Sequence, residues 1–149
     1  MIKLNINRHL AYLTEWKASQ DSLFQENIRV PFDLDLKSLA DAAIQVFLSC
    51  PSFACIHLVT STHALRHVIP FVGQTNDTLK HFWLAFAAVF VSEGAPNMKT
   101  PIVTKSRSWG ELSKQAIESE NDHWCKFVYT CMEEEKHYKS PFYLQAANC

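Results

Sequence analysis

Glycine is scarce in this chain of 149 residues: Gly73, Gly94 and Gly110 are the whole supply, and they stand far apart. They form no phosphate-cradling loop, which argues against a nucleotide site of the Rossmann or Walker type. An excess of one charge sign is also missing. With 14 basic against 15 acidic residues, the chain carries no electrostatic footprint for nucleic acid. Its five cysteines are an odd number, and none falls in a CxxC pair. Cys50, Cys55, Cys125 and Cys131 lie among apolar residues and read as buried free thiols of a reducing compartment, so a cytoplasmic location is expected. The N-terminus has charge but no apolar stretch of signal-peptide length. The longest apolar run, Phe82 to Val91, would rise only about 15 Å as a helix, half a bilayer core, so a buried helix is expected rather than a span. No GxSxG or HExxH occurs, and no pair of carboxylates at glycosidase-like spacing stands out.

What is present is apolar mass with a helical period. At 48% hydrophobic and 12% aromatic residues, one compact domain with a substantial core is expected. A helix is expected from about Arg8 to Ser19, with Leu10, Leu13 and Ala18 inward, and a polar connection from Asp21 to Phe32. Asp33 or Asp35 can cap an amphipathic helix carrying Leu36, Leu39, Ala43, Ile44, Phe47 and Leu48, which Cys50-Pro51-Ser52 ends. The next helix runs from about Phe53 to Ile69, closed by Pro70 and Gly73. Asn76 or Asp77 caps the apolar helix through Val91, and Gly94-Ala95-Pro96 stops it. Residues 97 to 107 form a long loop. Ser108-Trp109-Gly110-Glu111 is a capping-box pattern, Asn121 or Asp122 opens a helix with the stripe Trp124, Phe127, Val128 and Cys131, and Ser140-Pro141 opens a last short one. No segment alternates with period two. The expected fold is all-α, a single multi-helix domain.

Seven histidines and one lysine invite chemistry. His63 and His67 are four apart and share a helical face, the spacing of helical metal sites, whereas His57 lies about 120° round the same helix from His63. His67 follows Arg66 near the helix end, where a cation suits the dipole. His123 and Lys126 are three apart on another helix, with Asp122 able to orient His123 or cap the helix. Lys126, between Cys125 and Phe127, has two readings. It either snorkels past Phe127 or lies desolvated, with a reactive neutral amine able to take up carbon dioxide as a carbamate ligand. His9, His81 and His137 carry no assigned role, and Trp83, Trp109 and Trp124 read as core. The run Glu133-Glu134-Glu135 and the isolated Glu93 read as solvated helix-end carboxylates.

The segment His57 to Arg66, the helix holding Trp83-Leu84-Ala85-Phe86-Ala87 and ending near Gly94, and Asp122-His123-Trp124-Cys125-Lys126 resemble, in order and spacing, the carboxy-terminal part of the questin oxidase-like family. Pro141 to Ala147 resembles that family's close, and the resemblance is strongest over Cys55 to Ala147. It implies a helical oxygenase acting on polycyclic aromatic, anthraquinone-like ketones, with NADPH-dependent ring opening of Baeyer–Villiger type. It also implies a mononuclear iron held by histidines and a carboxylated lysine. Here His63 and His123 would be the imidazole ligands, Lys126 the carboxylated one and His57 a further candidate. Family members are longer, so the chain is expected to represent their C-terminal portion: a split-gene half, a fragment or a remnant. It would be inactive alone and would expose an apolar face along 53–69 and 82–91 for a complementary N-terminal chain or a second copy. A non-catalytic helical interaction domain is the alternative.

Overall fold

The computed structural model describes residues 11–98 and 106–149. Among them eight α-helices and no strand occur, so the chain is all-helical, as the periodicity requires. In chain order they are α1 (Ala11–Gln20), α2 (Ser22–Asn27), α3 (Leu36–Ser49), α4 (Phe53–Val68), α5 (Thr75–Ser92), α6 (Trp109–Glu118), α7 (Asp122–Tyr138) and α8 (Phe142–Ala147). A 3-10 turn, Ile69–Phe71, follows α4 with Pro70 in its first positions. Expectations that fell on Arg8 to Leu10, the side chain of Leu13, His9 and residues 99–105 lie outside the described residues.

The helix ends follow local chemistry. Asp35 accepts from the Ser38 backbone N–H at 2.7 Å while the Ser38 hydroxyl returns the bond, a reciprocal box that satisfies orphan donors of α3. Ser108 and Glu111 repeat the device on α6, and the Asn121 side chain accepts from the backbone N–H groups of His123 and Trp124 to open α7. Two expectations need correction. The polar stretch after Asp21 is helical over six residues, because Asp21 caps it by accepting from Phe24. Helix α5 starts at Thr75, before Asn76 and Asp77, so Asp77 sits in its first turn, where the dipole favours an anion.

Helix α3 is the hub. Its Ala43, Ile44, Val46, Phe47 and Leu48 meet Cys55, Leu58 and Val59 of α4, Phe127, Val128 and Cys131 of α7, and Tyr143, Ala146 and Ala147 of α8. Phe47 and Phe127 pack with ring centroids 4.4 Å apart. Leu112 and Ala116 lay α6 against the same core, and a smaller cluster of Leu39, Leu65 and Leu79 closes the far end. Helix α5 is tied to the segment before α3 by Trp83, whose indole N–H donates to the Arg29 carbonyl at 3.1 Å. Contacts between α4 and α7 ascend together: Phe53 and His57 meet His123, His63 meets Tyr129, and Arg66 meets Glu134. The two helices therefore run parallel, and their seam has two distinct ends.

Candidate functional site

At the start of the seam, His57 and His123 stand edge to face with ring centroids 5.3 Å apart, and Phe53 leans on both at 4.7 Å. Burial lowers the pKa of His57 from its ordinary 6.5, and the charges of His123 and Lys126 push it further the same way. Its imidazole is therefore neutral at pH 7. Lys126 is near enough to act on His57, yet its side chain is exposed. The desolvated reading of Lys126 is corrected: its neighbour Phe127 takes the inward position, and a residue one step along a helix is turned about 100° away. Among the described residues, none of the three makes a side-chain hydrogen bond.

His57 also lines a groove of about 480 Å³ between α1, α4 and α5. Trp16, Phe53, Phe82 and Phe86 supply flat walls, Ala54 and Ala85 leave room between them, and Glu15 marks one end. Such a volume, apolar with a few polar groups, suits a small aromatic ligand. Trp16 and Phe53 are 59% and 61% exposed, so the groove is open on the side they guard. Val68 and Val91 are also exposed, but they stand toward opposite ends of the α4–α5 pair and form no continuous patch with the groove.

The other end of the seam is closed. Glu134, only 2% exposed, accepts at Oε1 from His63 Nδ1 at 2.5 Å, from Arg66 Nη2 at 2.7 Å and from Arg66 Nε at 3.0 Å. The acidic run as a solvated helix end is thus corrected at its middle residue, which shares the inward stripe of Phe127 and Cys131. Burial, reinforced by the charge of Glu134, pushes Tyr138 up to about 12 and Tyr143 higher still. His63 carries its Nδ1 proton toward the carboxylate, an orientation that histidine ligands of metals commonly share. Its neighbours are His67, at 4.7 Å between centroids, and Tyr129. The four residues suggested as metal ligands therefore divide: His57, His123 and Lys126 come together, and His63 stands two turns away with Glu134.

A third group was not singled out by sequence. Cys50 ends α3, Cys55 lies in the first turn of α4 and Glu93 caps α5, and their ligand atoms lie within 4.8 Å of one another. Cys50 donates to Glu93 Oε2 at 3.6 Å. Burial, with the charge of Glu93 adding to it, pushes Cys55 up to about 11 and raises Cys50 and Glu15. Glu93 is thus a half-buried partner of thiols and not a free carboxylate. The signal available was the spacing of two cysteines about the Pro51 break, which turns two helix ends toward each other.

A sequence profile described as questin oxidase-like matches residues 2–131. The match takes in the first fifty residues and ends before Pro141–Ala147, so that closing segment lies beyond it. No curated protein matches the chain. No solved structure matches it either.

Proposed function

Since the chain belongs to the questin oxidase-like family, we propose that it forms the aromatic-binding part of an oxygenase-type oxidoreductase acting on polycyclic aromatic ketones. The groove between α1, α4 and α5 carries this reading. A flat ring system fits between Phe53, Phe82 and Phe86, and the neutral His57 imidazole accepts a hydrogen bond from a ring hydroxyl. Lys126, beside His57, supplies positive charge for a phenolate or ketone oxygen.

The metal implied by the resemblance fits the described residues in part. Two imidazoles on one tetrahedral ion place their centroids about 5 Å apart, which His57 and His123 match at 5.3 Å. His63 does not share that point, so a complete set needs ligands from residues outside this group. Iron held there would supply activation of dioxygen. The chain's own residues bind the ring, keep water from its faces and hold His57 unprotonated. Among the described residues the wall is open at Trp16 and Phe53, and a further covering element completes the groove: a complementary N-terminal segment or chain, or another copy. Alone, even with NADPH and iron, the chain turns over no substrate.

Calorimetric titration with 1,8-dihydroxyanthraquinone tests the binding step. The chain should bind it, and Ala85→Phe, which fills the groove, should weaken binding about tenfold or more while circular dichroism stays unchanged. Equal affinity in the folded variant, or no heat of binding at all, would refute this reading. Concentration-dependent dimerisation without aromatic binding would favour the interaction domain instead.

A further inference from the structure

We propose that Cys50, Cys55 and Glu93 form a zinc site that clamps three helix ends together. The site is distinct from the imidazole pair and needs no residue of the groove. Its geometry is close to that of a bound ion. For tetrahedral zinc with bonds of about 2.3 Å to sulfur and about 2.0–2.2 Å to oxygen, sulfur and oxygen ligands stand about 3.5–3.7 Å apart and two sulfurs about 3.8 Å. Cys50 Sγ and Glu93 Oε2 are already 3.6 Å apart, and the whole set lies within 4.8 Å, so closing on an ion needs separations to shorten by about an ångström.

The donor set selects the metal class. Two thiolates favour zinc over magnesium or calcium, and one carboxylate completes three protein ligands with a fourth position left for water. The three ligands come from the end of α3, the start of α4 and the end of α5, elements that the Pro51 break and the Gly94 turn bring to one place. Cys55 is fully buried, while Cys50 and Glu93 are half-exposed, which gives an ion a path in. On binding, each thiol releases its proton to solvent as its sulfur–metal bond forms, and no oxidant or reductant is required.

The test uses the full chain, reduced with a phosphine and freed of metal, titrated with cobalt as a spectroscopic stand-in and then with zinc. A thiolate-to-cobalt charge-transfer band should rise to about one equivalent and be bleached by zinc. Cys50→Ala should abolish the band, Glu93→Gln should weaken cobalt about tenfold or more, and His57→Ala with His123→Ala should leave it intact. Cys50 is half-exposed, and unchanged circular dichroism confirms that its variant folds. Absence of the band in the reduced wild type would overturn the proposal. So would a band that survives in Cys50→Ala, or a chain that binds no metal but forms a Cys50–Cys55 disulfide in air. None of these outcomes depends on aromatic binding, so the two readings stand or fall separately.

Discussion

The two ends of the α4–α7 seam use the same residue types to opposite effect. At one end His63 and Arg66 surround a carboxylate that is almost wholly removed from water. At the other, His57, His123 and Lys126 gather with no acid among their described partners, His57 and Lys126 at the surface and His123 half-buried. The first arrangement pairs the carboxylate through Oε1 alone, leaving Oε2 buried without a partner among the described residues, and that paired charge holds structure. The second leaves a lone pair and a positive field unspent, beside an apolar groove. A histidine between packed helices is informative only when its partner is known: a carboxylate makes it a brace, and other bases make it available.

The sharpest way to break this contrast is Glu134→Ala. It leaves Arg66 without its buried partner and should cost about 3–5 kcal/mol in urea unfolding. A loss below about 1 kcal/mol would mean that the closed end contributes no more than a surface ion pair. At the open end Phe53→Ala should change stability by less than about 0.5 kcal/mol, since the ring is already 61% exposed, yet weaken anthraquinone binding. An unfolding midpoint that falls as far as that of Glu134→Ala would erase the difference between the ends. The smallest effect is on titration. In proton NMR, the His57 ring should titrate below 6.5, and Lys126→Ala should move the midpoint upward while Glu134→Gln leaves it in place. Because the folded value is depressed, the unfolded chain takes up protons first. The stability linked to His57 is present above about pH 6.5 and lost as pH falls through the folded midpoint. A midpoint at or above 6.5 in the wild type would contradict the crowding of bases.

Much of this architecture was readable before any coordinates. Asp35, Ser108 with Glu111, and Asn121 announce their helices because capping is a local bond between residues two or three apart. The site was readable only in part. His123 and Lys126 share a helix, so their proximity follows from spacing, but the choice between His57 and His63 as their neighbour depends on how α4 lies against α7. Parallel packing brings in His57. Glu134 was hidden because a run of three glutamates resembles a solvated end, although its position seven beyond Phe127 places it on the buried stripe. The short helix α2 was missed for the opposite reason: it buries nothing, and only the Asp21 cap betrays it.

The parallel course of α4 and α7 also bears on how the molecule assembles. His57 and His123 are 66 positions apart, and His63 and Glu134 are 71 apart, so no part of this seam can form from neighbouring sequence. The hairpin of α3 on α4 and the pair α7 with α8 close over short loops and can organise first. Sequence separation therefore predicts that the seam closes after them, with the Glu134 carboxylate shedding its water at that docking. Contacts absent from a folding transition state govern how slowly a protein comes apart rather than how quickly it forms. On that order Glu134→Ala should speed unfolding more than it slows refolding in stopped-flow kinetics, making the buried pair a latch on the lifetime of the folded chain.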